Sequence, residues 1–368
     1  MMAQQPRLLK LDQLQLTPET EGPALKPLSF SVNRGQIAGL FCRHSGYLTR
    51  VLRTIIGLEP IQGGTLTIAG DHVASERHQW PVGKRRATFI PAAESLFPQL
   101  TIRANIELAL LQRRRTERIQ LSQLLLEQLD LQGYSEHYPH QLQEDSLQRS
   151  KLARALATPH PLILWDEPFN QPNPAEQLML GQDMQQLAEL YQKTVLFGTT
   201  NVDALKTTAS MAGVIHHGEL LQWDSPYNLY HAPNSRTVAN IFGSATLLPG
   251  LLHVNQSLTS ELGTLRFNQR HLANELGGKS VTFLVRPDDL QLGSKSDPTA
   301  VVIGKSFHGT ESRYLLQLEE GSLLTLNTPS HNNIAIGKKI AVQCRMDHLI
   351  IFLAESEQSL DLGPAQSI

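Results

Sequence analysis

Tyr138-Pro139-His140-Gln141-Leu142-Gln143-Glu144-Asp145-Ser146-Leu147-Gln148-Arg149 leads into Leu152-Ala153-Arg154-Ala155-Leu156 and then Leu162-Ile163-Leu164-Trp165-Asp166-Glu167-Pro168. The last segment is a short apolar run closed by two carboxylates and a proline, the pattern of a buried parallel strand ending at a polar edge. Working outward, Leu8 to Leu16, Ile37 to Cys42 and Val195 to Thr199 also read as strands. Thr49 to Ile56, stopped by Gly57, reads as a helix, as do Leu121 to Leu131 and Ala175 to Tyr191. This alternation predicts an α/β core with helices on both faces of a largely parallel sheet. From Leu247 to Ala354 short β-type runs take over, among them Ser280 to Val285, Ala300 to Ile303, Tyr314 to Leu318 and Lys339 to Cys344. They predict a small all-β barrel, with a polar tail behind it.

The 368 residues suffice for two domains, one with a large core. Hydrophobic content of 40%, charged content of 18% and a net charge of −2 are those expected of a soluble globular protein. They give no general argument for nucleic acid or an anionic membrane as partner. The basic run Gln112-Arg113-Arg114-Arg115-Thr116-Glu117-Arg118 reads as a solvated helix end. Cys42 and Cys344 stand far apart, which disfavours a disulfide framework and fits a reducing compartment. The first ten residues lack a signal-peptide core, and no run approaches the ~20 apolar residues of a membrane span. Membrane association is therefore expected only through a partner.

Taken in order, these segments resemble the ATP-binding cassette (ABC) ATPases. In that family YPHQL runs into SGGQ, an R…LARAL helix and a strand ending in DEP. Cys42-Arg43-His44-Ser45-Gly46-Tyr47-Leu48-Thr49-Arg50 occupies the place of the P-loop GPSGSGKST. Leu52-Arg53-x-Ile55-x-Gly57-Leu58-Glu59-Pro60 fixes that register, because it resembles LLRLIAGLEP. Leu96-Phe97-Pro98-Gln99-Leu100-Thr101, with Asn105-Ile106, resembles the LFPHLTV…NI that follows the Q-loop. His217-Gly218-Glu219-Leu220 and Ser225-Pro226-x-x-Leu229-Tyr230 resemble the elements that close a cassette. Leu248-Pro249-Gly250 and Val285-Arg286-Pro287-Asp288-Asp289-Leu290 resemble the TOBE-type domain of importer ATPases, ferric-iron types first and spermidine/putrescine types next. The resemblance implies a P-loop NTPase-like cassette at 1–244 with a helical subdomain at about 91–158. A TOBE-like (OB-type) β-barrel at 245–355 and a polar tail at 356–368 would follow.

The same register implies that most nucleotide contacts are lost. A working P-loop needs glycines, so that backbone N–H groups can wrap the phosphates, and a Lys to bridge them. Cys42, Ser45 and Tyr47 replace the glycines, and Leu48 replaces the Lys. Arg50, two residues further along a helix, is rotated by about 200° and points away. The adenine-stacking place holds Pro18, the Q-loop Gln is Ala92, the switch His is Thr200 and the D-loop Asp is Asn173. Glu144 and Asp145 replace the two signature glycines and bring negative charge where a γ-phosphate would lie. At a helix start they complement the dipole instead, and Asp145 with Gln148 has capping-box spacing.

If nucleotide binds, the resemblance assigns its contacts to Arg43, His44, Ser45, Gly46, Thr49 and Asp166. Thr49 and Asp166 would hold Mg²⁺, and Glu167 would be the general base. The cofactor is Mg-ATP or none. Three readings stay open: a pseudo-ATPase acting as structural or regulatory partner of a permease, a working importer ATPase with unorthodox phosphate contacts, and a ligand-sensing module. The resemblance further implies permease docking through the helical subdomain and pairing as a homodimer or heterodimer of cassettes. It places the chain in the cytoplasm, peripheral on the inner face of the cell membrane, with no nucleic acid as partner.

Overall fold

Three strands of this chain, β3 (Ile37–Phe41), β7 (Leu162–Asp166) and β8 (Thr194–Thr199), are buried along their entire length, as parallel strands covered on both faces must be. The computed structural model describes residues 6–17, 26–93, 95–169, 173–294, 299–353 and 357–367. It forms two compact units, Met1–Pro226 and Tyr227–Ile368.

In the first unit, β1 (Arg7–Leu16), β2 (Leu28–Asn33), β4 (Ile61–Ile68) and β5 (Asp71–Ser75) form an antiparallel sheet in the order β2-β1-β4-β5. The larger sheet has the order β10-β9-β3-β8-β7-β6, with β6 (Ala87–Ile90), β9 (Met211–His216) and β10 (Glu219–Asp224). Its pairs are parallel except β9 with β10. Helix α1 (Ser45–Ile56) follows β3 directly. Helices α2 (Ile102–Ala109), α3 (Arg115–Gln128) and α4 (Glu144–Ala157) lie between β6 and β7 in the chain. Helices α5 (Pro174–Leu190) and α6 (Val202–Thr208) flank β8.

Helix α1 is the hub of this unit. Leu48, Val51, Leu52 and Ile55 repeat at helical spacing and are all fully buried. Its C-terminus is closed twice. Gly57 takes a left-handed φ of 93°, and the Arg85 guanidinium donates to the Thr54 and Ile55 carbonyls at 2.8 Å and to that of Trp80 at 3.0 Å. A Cβ at Gly57 would lie 2.6 Å from Arg85 Nε, so glycine is required for space as well as for φ.

The second unit is all-β apart from short helices. Its strands pair antiparallel in one twelve-stranded sheet around a core that includes Phe283, Tyr314, Leu316 and Leu326. Two features depart from expectation. The expected polar tail contributes strands Ser359–Asp361 and Ala365–Ser367, which pair with Ile350–Leu353 and Gly263–Phe267. Leu362 and Ala365 are buried there. Two isolated apolar residues among Gly, Pro and polar neighbours are too short a signal for period-two reading. The unit also begins at Tyr227, ahead of the boundary expected after residue 244. Arg286 supplies the reason, donating to the carbonyls of Tyr230 (2.9 Å), Ala239 (3.0 Å) and Ser244 (3.2 Å). Its guanidinium also lies 4.2 Å from the Tyr230 ring. Helix Arg236–Phe242 and the residues around it are thereby fastened to the all-β body.

Replacing Arg85 by Leu leaves two buried carbonyls and one part-buried carbonyl without their donor. With hydrogen bonds to a charged group at about 1.5–3 kcal/mol each, Arg85→Leu is expected to cost at least about 3 kcal/mol. A clear fall in the urea midpoint checks this; an unchanged midpoint contradicts it.

Candidate functional site

The corner between β3 and α1 is short. Phe41 ends the strand, only Cys42, Arg43 and His44 intervene, and the helix starts at Ser45 rather than at the expected Thr49. Backbone that a phosphate cradle would keep open is thus wound into the first turn of α1. Leu48 is fully buried, and its Cβ lies 2.9 Å from where a Cβ on Gly198 would stand. The leucine fills the space between α1 and β8 and presents no cation. Tyr47 is half-buried and meets His44 edge-to-face at 6.5 Å. Arg43, His44, Ser45 and Gly46 are exposed at the mouth of the corner. Burial pushes the Cys42 thiol up, which marks it as an inert packing residue. Arg50 faces away as its helical position demands, donating to the Thr17 carbonyl and pairing with Glu59 at 3.8 Å.

Three of the expected residues do come together. Thr49 Oγ1 donates to Asp166 Oδ2 at 2.7 Å. Glu167 follows at the strand end with φ of 48°, its N–H bonded to Gly198 O at 2.9 Å. Its Oε2 accepts the backbone N–H of Thr200 at 3.2 Å, so a main-chain donor stands where the resemblance placed a histidine. Asp166 and Glu167 are almost wholly buried, and among the described residues Asp166 Oδ1 and Glu167 Oε1 have no hydrogen-bond partner. Burial raises both carboxyl pKa values; Thr49 partly offsets this at Asp166, and the Thr200 N–H does so at Glu167.

The flanking motifs have turned to structural work. Ala92 offers its carbonyl to the buried Lys151 ammonium at 3.3 Å. Lys151 was missed in the sequence, although it shares a buried face of α4 with Ala155, four residues on. Asn173 caps α5 by accepting the Ala175 N–H at 3.0 Å, and Asn201 caps α6 while bonding Gln177 at 2.9 Å. Asn170, Gln171, Pro172 and Pro18 lie outside the described residues. Glu144 and Asp145 do occupy the first turn of α4, but the expected capping box does not form. The N-cap is Gln143; Glu144 takes Gln148 at 2.5 Å, and Asp145 takes the buried Arg149 at 3.5 Å. Arg149 also pairs with Asp183 of α5 at 3.3 Å, and a charged partner outcompetes a backbone cap.

Chemically, the corner fits one half of a metal–nucleotide site. A hydroxyl and two buried carboxylates with orphan oxygens suit a hard divalent cation such as Mg²⁺. The phosphate half does not fit, because Leu48 and the wound first turn fill its place. Comparison with known proteins agrees with the architecture. Residues 25–170 match the ABC transporter family and residues 283–352 the TOBE domain. An Fe(3+) ions import ATP-binding protein FbpC 2 of Haemophilus influenzae is 28% identical over 289 residues, 77% of this chain and 80% of that protein. The sulfate/thiosulfate import ATP-binding protein CysA of Synechococcus elongatus is 27% identical over 311 residues, 83% and 85% of the two chains. That of Vibrio cholerae is 31% identical over 233 residues, 62% and 61%. The fold is therefore an ABC cassette followed by a TOBE domain. Its relatives are importer-type ABC ATP-binding subunits.

The acid pair makes a pH prediction. A carboxyl whose pKa is raised by folding holds its proton longer folded than unfolded. Its stability contribution is therefore lost as pH rises from about 4 through the raised value. Asp166→Asn and Glu167→Gln should each raise the melting temperature at pH 7 to 8, and the gain should vanish at acidic pH. A lower or unchanged melting temperature at neutral pH counts against it.

Proposed function

We propose that this chain is a degenerate pseudo-ATPase that serves a membrane permease as a structural or regulatory cassette. The observation that carries the reading is Leu48, fully buried against Gly198 in the place of the phosphate-bridging lysine. The wound first turn of α1 and the acidic start of α4 support it from both halves of a composite site. In a pair of cassettes each nucleotide would lie between one chain's P-loop corner and the other's signature helix. A homodimer of this chain would have two broken sites, and a heterodimer with an intact partner would have none whole. The relatives support import of a small oxyanion or ferric ion, with the ferric-iron type preferred. Placement on the cytoplasmic face of the cell membrane follows from the permease partner. Among the described residues no helix is long and apolar enough to cross a membrane.

Docking would use the helical layer at about 91–158. Phe97 is 38% exposed there, its ring 4.7 Å from the Arg154 guanidinium. Its backbone is clamped by the buried Asn105, which accepts the Phe97 N–H at 2.8 Å and returns a bond to its carbonyl at 3.1 Å. The side chain is therefore free to meet a partner while the main chain holds its place. Co-purification with a co-expressed importer permease is expected without nucleotide and after enzymatic removal of ATP. Phe97→Ala should weaken that association about tenfold, roughly 1.4 kcal/mol, and cost the fold under about 1 kcal/mol. Leu48→Lys alone should not create ATP turnover. Docking that requires ATP contradicts the reading and favours a working ATPase built on Thr49, Asp166 and Glu167.

A further inference from the structure

Away from the β3–α1 corner, a cavity of about 480 Å³ opens among the end of α2, helix α3, the end of α4 and the turn between α5 and β8. The volume is that of a small-molecule pocket. Leu110, Leu125 and Leu156 give it an apolar floor, and all three are buried. Its charged lining residues are Lys193 and Arg113, with no acid. Lys193 is only 6% exposed, and its ammonium donates to the carbonyls of Thr158 at 2.5 Å and His160 at 2.8 Å. Those two carbonyls, at the C-terminal end of α4, occupy two of its three donors, and among the described residues no carboxylate pairs with it. Arg113 is exposed at the same lining.

We propose that this cavity binds a small carboxylate with an apolar body, Lys193 being its buried counter-charge and Arg113 a guide at the mouth. The cavity is independent of the nucleotide corner, so the inference does not rest on the pseudo-ATPase reading. Burial pushes the Lys193 ammonium down to about 8, so a bound anion would supply stabilisation the protein lacks. Arg113 and Tyr191 share the cavity lining with it, and His160 lies close to it and to Arg86. Burial, Lys193 and Arg86 lower the His160 pKa, and burial raises that of Tyr191, so neither changes charge between pH 7 and 9.

Octanoate, titrated calorimetrically into the full chain, is the probe, with octanamide as its neutral counterpart. Saturable one-to-one octanoate binding is expected at pH 7, about tenfold weaker at pH 9 as free Lys193 loses its proton. Lys193→Met should weaken it at least tenfold. Arg113→Gln, at an exposed position that leaves the fold intact, should weaken it several-fold. Octanamide should not bind. Equal uptake of both probes, affinity independent of pH, an unaffected Arg113→Gln variant, or no saturable binding by the wild type would each overturn the proposal.

Discussion

The packing of Leu48 against Gly198 is the constraint on which the cassette corner depends. A side chain at residue 198 would meet Leu48 at its Cβ, so strand β8 must carry glycine there and α1 must sit close above it. That closeness brings Thr49 within 2.7 Å of Asp166 and joins α1 to the end of β7. At the other end of the helix the Arg85 guanidinium takes up the last carbonyls. The helix is thus pinned at both termini by interactions internal to the protein.

The acid pair does not fit that pattern. Two adjacent buried carboxylates, each with an oxygen unpartnered among the described residues, cost stability unless a cation or a proton joins them. They survive at the end of a wholly buried strand, where Glu167 takes a left-handed backbone that disfavours any residue but glycine. The corner is therefore asymmetric. Thr49 and the two carboxylates stand on one side of it, and the buried Leu48 fills the other. At the signature helix Glu144 accepts the Gln148 amide, and Asp145 pairs with the buried Arg149. Buried guanidinium groups recur as organisers, Arg85 in the first unit and Arg286 in the second, each gathering several carbonyls that would otherwise face the interior unpaired.

Much of this was legible in the chain. The strand-to-acid segment ending at Glu167, the alternation of strand and helix, and the change to short β runs after Leu247 fixed the α/β-then-β order, since they rest on hydrophobic period alone. The loss of a cation at Leu48 and the outward direction of Arg50 follow from helical geometry once the register is known. What escaped the sequence depends on long-range partners. Nothing local says that Arg85 will reach back to Thr54, that Lys151 will find Ala92, or that Arg286 will bind residues 230–244 to the second unit. The start of α1 was read four residues late because Ser45, Gly46 and Tyr47 are poor helix formers; burial of Leu48 overrides that propensity. The terminal strands were missed because only Leu362 and Ala365 point inward.

Equilibrium titration of the purified chain with Mg-ATP tests the central claim most directly. With the cradle wound into α1 and Leu48 in the lysine's place, heats should show no saturation below roughly millimolar concentration, a binding free energy weaker than about −4 kcal/mol. Micromolar, magnesium-dependent saturation would contradict the account, since it would require the first turn of α1 to open and Leu48 to leave its packing against Gly198.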